Sequence, residues 1–153
     1  MEILTATHAH IGQISALYER FFAYNAAQQP EFYRTAREKG EYPLSVIESE
    51  TEELFVAVEN EAVMGILHIS EKHTPPFPCY VPYRYAEIID LFIAPDYRGQ
   101  GIGVSLLDRA RAWAKDRNLS YLELSLLKNN VDGVRFYERE HFQETTCVMR
   151  RPL

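Results

Sequence analysis

The sequence is poor in the residues that mark several protein classes. Its 153 residues hold two cysteines, Cys79 and Cys147, far apart and without CxxC spacing. Neither a disulfide framework nor a zinc site is expected from that pattern. HExxH is absent, and His8 and His10 share no metal-ligand spacing with other residues, so no metal is expected. The stretch from Met1 to Gln13 has no basic segment leading into an apolar one, which argues against a secretory signal. No run approaches the roughly 18 apolar residues of a membrane span, so no membrane contact is expected. A reduced, cytoplasmic protein is the natural expectation. Positive charge is also short: 16 Lys and Arg against 22 Asp and Glu give −6, without the basic surplus of a nucleic-acid footprint. The deficit is uneven. Residues 1–76 carry 12 acids, all Glu, against 5 bases, whereas residues 77–153 carry 10 acids against 11 bases. The first half therefore suits cations, and the second half can hold an anion locally.

What is present describes one folded domain. The chain is 46% hydrophobic and 12% aromatic, which excludes a disordered or fibrous protein. Residues 1–153 fit a single domain with no repeat or linker. Short alternation marks a strand at 2–7, and apolar residues at 11, 14, 17, 18, 21 and 22 mark a helix. A shorter helix is expected after Pro30. Strands are expected at Leu54–Glu59 and Ala62–Ser70, joined by the turn at 59–61. Four prolines between Thr74 and Pro82 demand an irregular loop. An apolar strand at Tyr85–Ile93 follows, then a helix at Ile102–Lys115 and a strand at Tyr121–Leu127. A helix at Val131–Glu140 and a last strand at Phe142–Arg150 complete an α/β order.

Arg98-Gly99-Gln100-Gly101-Ile102-Gly103 lies between the strand at 85–93 and the helix at 102. Glycines there let a ligand approach the backbone, and free N–H groups at a helix start suit a phosphate. A Walker loop needs a Lys after Gly103, and a dinucleotide loop needs GxGxxG where this chain has GxGxG. ATP, GTP and NAD are thus poorly supported, and a tight turn without a ligand is the plainer alternative.

Arg98 to Gly103 fits the [R/Q]-x-x-G-x-[G/A] pattern of the GNAT acyltransferases. The preceding IIDLFIAPDY resembles that family's strand and turn. Asn130-Val131-Asp132-Gly133-Val134-Arg135-Phe136-Tyr137, followed by Phe142, is similar to the family's N-x-x-A-x-x-x-Y…G-F segment. Gly133 stands where the family prefers Ala, which loosens the helix by about 0.5–1 kcal/mol. His141 stands where it usually has Gly, so a differently shaped helix end is expected. The resemblance covers residues 85–142.

The resemblance implies a single-domain α+β GNAT fold with a central mixed, mostly antiparallel sheet flanked by helices. It implies acetyl-CoA as cosubstrate, its pyrophosphate held by Arg98, Gly99, Gln100, Gly101, Ile102 and Gly103. A backbone N–H within Leu91, Phe92 and Ile93 would polarise the acetyl carbonyl, and Asn130 would contact the pantetheine arm unless it only caps the helix. Tyr137 would contact the cofactor and act as the acid that protonates the leaving thiolate, although it can equally pack with Phe136. Glu87, 11 positions before Arg98, matches the placement of a general-base glutamate. Asp90 is the rival, on the opposite face unless a bulge intervenes, and a water chain is a third option.

Arg109, Arg111, Lys115 and Arg117 are either a solvated helix face or a contact for the nucleotide phosphate. The aromatics at 77–85 and Phe32-Tyr33 either line an acceptor pocket or cover the core. The acceptor is expected to be a primary amine of a small molecule or peptide, cationic by the charge argument. A homodimer is a further implication of the family. Two functions fit: an N-acetyltransferase, or a non-catalytic acyl-CoA sensor with the same fold.

Overall fold

In the computed structural model, which describes residues 1–153, strands β1 (Glu2–Thr5), β2 (Glu52–Glu59), β3 (Ala62–His73), β4 (Arg84–Ile93) and β5 (Leu122–Leu124) form one sheet in that order. The first four run antiparallel to their neighbours, and β5 is parallel to β4. Helices α1 (Ile11–Gln28), α2 (Glu41–Ile47), α3 (Ile102–Asp116) and α4 (Val131–Arg139) flank the sheet. The mixed, mostly antiparallel sheet agrees with the expected fold. None of the helices is long and apolar enough to cross a membrane.

The period-two pattern of β2 and β3 sorts the apolar residues between two faces. Leu54, Val56 and Ile66 pack with Ile14, Leu17 and Tyr18 of α1 and Val46 of α2. Phe55, Leu67 and Ile69 pack with Leu106, Leu107, Ala110 and Trp113 of α3. At the β2–β3 hairpin, Asn60 and Glu61 have φ of 50° and 65°, the left-handed pair that matches strand twist in a two-residue turn.

Two expectations need correction. The shorter helix does not start at Pro30. Phe32 and Tyr33 N–H both donate to the Gln29 carbonyl in a turn, and the helix forms at Glu41–Ile47, where Pro43 and Val46 find burial. Residues 142–150 form no strand. They have strand-forming side chains, but no strand of their own chain runs beside them, and a strand is defined by its pairing partner.

Candidate active site

The β3–β4 register slips by one residue: His68 faces Asp90, but Ile69 faces Ile88, leaving Ile89 unpaired as a bulge. The slip changes the outcome of the alternation rule. Glu87 opposes Ser70 and Asp90 opposes His68, so both carboxylates emerge on the face toward α1 and α2. Strand β5 pairs with β4 only at Ala86, Glu87 and Ile88. From Asp90 to Ile93 that edge of β4 has no strand neighbour.

Asp90 anchors a polar cluster that sequence reasoning missed. Tyr18 of α1 donates its hydroxyl to Asp90 Oδ2 at 3.0 Å. The Tyr42 hydroxyl of α2 lies 2.7 Å from His68 Nδ1 and 3.3 Å from Asp90 Oδ2. His68 is 3% exposed, and its Nε2 lies 3.4 Å from Glu52 Oε2 without a hydrogen bond. Ser70 Oγ donates to Glu52 at 3.3 Å. Burial first, and the Asp90 charge second, push the Tyr18 and Tyr42 phenols well above the ordinary tyrosine range. The only signal in the sequence was a polar His68 inside the apolar run Ile66–Ile69.

The glycine turn has the geometry of an anion cradle. Gly99 and Gly101 have φ of 75° and 79°, left-handed values that favour glycine. A Cβ at either would meet nothing within 4 Å, so the space over the turn is open. Helix α3 starts after Gly101, and its first backbone bond runs from Ser105 N–H to the Gly101 carbonyl at 3.1 Å. The N–H groups before Ser105 have no intrahelical partner and lie at the positive end of the dipole. The exposed Arg98 side chain bends back along the surface toward the end of β4. Its Nε donates to the Ile93 carbonyl at 3.1 Å, and its guanidinium lies 4.9 and 5.5 Å from the Tyr24 and Phe92 ring centres, tying the turn to the end of β4. Gly103 differs from the other two: a Cβ there would stand 3.0 Å from Phe136 Cζ, so it lets α4 pack onto α3.

That contact places Tyr137. Its ring packs edge-on between Phe136 and Phe142, at centroid distances of 5.1 and 5.5 Å. Burial, followed by the Asp90 charge, pushes its phenol well above the ordinary range. Asn130 caps α4, accepting from Gly133 N–H at 3.0 Å and from the Tyr24 hydroxyl at 3.2 Å. A Cβ on Gly133 would strike the Asn130 carboxamide, which accounts for glycine at that position.

At the other end of α4 the expected change of shape does not occur. His141 adopts φ 67°, and Phe142 N–H closes on the Tyr137 carbonyl at 2.9 Å, so histidine takes the left-handed position that suits glycine. A β-carbon in that conformation costs about 1–2 kcal/mol. His141→Gly is expected to stabilise the protein by about 1 kcal/mol, raising Tm by about 2–4 °C; an unchanged or lower Tm in a thermal melt would show that the side chain compensates the strain.

Other candidates settle into local roles. Arg109 lies over Phe55 and Arg117 over Trp113, while Arg111 pairs with Asp108 and Glu140. The proline-rich loop lines an open cavity of about 590 Å³ between His73 and Arg84, at the opposite end of β4 from the glycine turn. Phe32 and Tyr33 are exposed, so they do not cover the core. Cys79 and Cys147 are free and exposed.

The model of the acetyltransferase (GNAT) family matches residues 13–142. The chain belongs to the GNAT family. An uncharacterised N-acetyltransferase of Methanocaldococcus jannaschii is 40% identical over 63 residues, which is 41% of this chain and 28% of that protein. Streptothricin acetyltransferase A of Bacillus subtilis is 40% identical over 58 residues, 38% of this chain and 34% of that protein. The chain thus spans about a third of the length of these curated relatives. Among solved structures, a Bacillus halodurans protein, BH1408, superposes with a TM-score of 0.94 at 20% identity, covering 100% of both chains. An aminoglycoside N-acetyltransferase, AAC(6')-Iy in complex with CoA, gives 0.73 at 15% identity, covering 99% of this GNAT chain and 98% of that one. At these identities the structures show the fold alone.

Proposed function

We propose that this GNAT chain is an N-acetyltransferase that passes the acetyl group of acetyl-CoA to a primary amine of a small molecule or peptide by direct attack on the thioester. The observation that carries the reading is the open glycine turn that follows the strand bearing Asp90, whose charge reaches the half-buried Tyr137 phenol. Bound acetyl-CoA would supply an activated acyl group with a thiol leaving group. The open space at Gly99 and Gly101 fits its pyrophosphate against the N–H groups of α3, and the β4 edge at 91–93 offers a backbone donor to the carbonyl. Such a donor is worth about 2.7–4 kcal/mol in the barrier.

Asp90 is the base in this reading. Its charge reaches the Tyr137 phenol, and it takes the proton that an ammonium must lose before attack. Tyr137 gives its proton to the departing sulfur. Its raised pKa keeps the phenol protonated throughout the physiological range. Donation stays feasible because a thiolate formed in the same low-dielectric site also becomes more basic. Glu87 sits farther along the same face, 4.0 Å from Lys72 Nζ. Together with Glu52 it makes that face acidic, and the acceptor is accordingly a cationic amine. The reading includes a reducing, cytoplasmic location, which suits the two exposed thiols.

The roles are separable by thiol-release kinetics. Asp90→Asn is expected to lower kcat by about a hundredfold or more. Glu87→Gln is expected to raise KM for a cationic acceptor with little change in kcat. The reverse pattern would make Glu87 the base, and an unchanged kcat in both variants would leave deprotonation to water.

A further inference from the structure

One buried titratable group has no part in the reaction as proposed. His68 lies at the centre of the polar cluster, 3% exposed. Its Nδ1 is 2.7 Å from the Tyr42 hydroxyl and 3.7 Å from Asp90 Oδ2. Its Nε2 is 3.4 Å from Glu52 Oε2 and forms no hydrogen bond. A buried polar atom without a partner is destabilising, and packing alone would be served better by an apolar side chain such as that of Ile66 on the same face. The titratable groups facing the ring are Tyr42 from α2, Glu52 from β2 and Asp90 from β4, with Tyr18 of α1 behind Asp90.

The chemistry gives such a ring something to do. Turning an ammonium into an amide nitrogen removes two protons from it, and a carboxylate holds one. Asp90 can take the second only after passing on the first. Tyr18 touches Asp90 Oδ2 but is kept protonated by burial and leads no further. The Tyr42 hydroxyl reaches both Asp90 Oδ2, at 3.3 Å, and His68 Nδ1. It can therefore receive a proton on its oxygen while giving its own to the ring. Imidazole is the side chain that exchanges a proton near neutral pH. With a carboxylate 3.4 Å from one nitrogen and 3.7 Å from the other, a proton arriving there meets opposite charge on both sides.

We propose that His68 is the proton store of this site. The proposal rests on the reading of Asp90 as the base. The first proton leaves the ammonium nitrogen for Asp90, an N–H bond breaking as an O–H bond forms. That proton moves to the Tyr42 oxygen as the Tyr42 proton moves to His68 Nδ1. The ring is then an imidazolium between Asp90 and Glu52, and Asp90 is again a carboxylate, free to accept the second proton. The second replaces the one that Tyr137 gives to sulfur. After the product leaves, the stored proton returns by the same path, so each turnover releases one proton and His68 ends neutral. His68 touches no reacting atom; it is a positioning residue that acts through Asp90.

Two measurements on the full chain test this. The first uses neither cosubstrate nor acceptor: nitrogen NMR of histidine-labelled protein, with the His68 signals identified by their loss in His68→Asn. On acidification from neutral pH both ring nitrogens are expected to carry protons while the near-ultraviolet spectrum stays that of the folded chain. Glu52→Gln is expected to lower the protonated fraction at the same pH. A ring that keeps one bare nitrogen until the chain unfolds overturns the proposal. The second follows thioester loss and proton release together in rapid mixing with acetyl-CoA and benzylamine, tyramine or cadaverine. In the wild-type chain, thioester loss is expected to run ahead of proton release during the first turnover. The two should coincide in His68→Asn and in Tyr42→Phe, which keeps the ring and cuts its path to Asp90, and kcat should fall about tenfold or more in both. Coincident traces in the wild-type chain, or a lag that survives in Tyr42→Phe, overturn the proposal. Thioester loss with none of the amines would defeat the acetyl-transfer reading and the store with it, whereas acetylation by a chain whose ring stays neutral defeats the store alone.

Discussion

Tyr137→Phe is expected to lower kcat by about 10²–10⁴-fold, the usual worth of a positioned acid, while KM for acetyl-CoA and the CoA-induced rise in Tm stay at wild-type values. The expectation comes from the position of the ring. Phe136 and Phe142 hold it edge-on, and phenylalanine keeps both contacts, so the variant loses one proton donor and almost no packing. Burial and the Asp90 charge hold the phenol neutral far above physiological pH, so it is always in the donating form. A loss of 10²–10⁴ corresponds to about 2.7–5.4 kcal/mol in the barrier, several times the value of an ordinary neutral hydrogen bond. If kcat is unchanged, the phenol is a packing group and the thiolate leaves without it.

Gly101→Glu is expected to abolish CoA binding. Wild-type protein at CoA concentrations about 100 times Kd gains about 2.7 kcal/mol, or about 5–11 °C in Tm for a chain of this size; the variant should gain nothing. Two effects combine. The left-handed φ of 79° strains any residue with a β-carbon by about 1–2 kcal/mol, which lowers the starting Tm. The carboxylate then stands in the space where the helix N-terminus would meet phosphate, replacing attraction with repulsion. Gly101→Ala separates the two, since a methyl group meets nothing within 4 Å: it should lower the starting Tm and keep a CoA shift. A Gly101→Glu protein that retains the full shift would remove the turn from the CoA site.

The position of the glycine turn and most of the order of strands and helices were legible in the sequence because each is local. A glycine spacing between a strand and a helix, or a period of two or 3.6, is a property of consecutive residues. The three glycines nevertheless divide by role. Gly99 and Gly101 need left-handed backbone, whereas Gly103 needs room for Phe136, and nothing in GxGxG distinguishes them. The bulge at Ile89 was left open because the extra residue hides in the apolar pair Ile88-Ile89, where neither side chain marks the slip. Tyr18 read as part of a helical core stripe; its hydroxyl acquires meaning only when α1, α2, β3 and β4 bring it to Asp90. Residues 142–150 read as a strand on propensity, and their composition is strand-like, but pairing depends on a neighbour that propensity does not supply.

Incubating the wild-type chain with acetyl-CoA and a panel of amines, with free CoA thiol and the mass of each amine read together, separates an acetyltransferase from a CoA-binding sensor. Thiol release is expected, matched one for one by a single acetyl group on the amine and fastest with cationic primary amines. A chain that binds CoA, as shown by a rise in Tm, yet acetylates none of the panel above the uncatalysed rate would contradict acetyl transfer as the function.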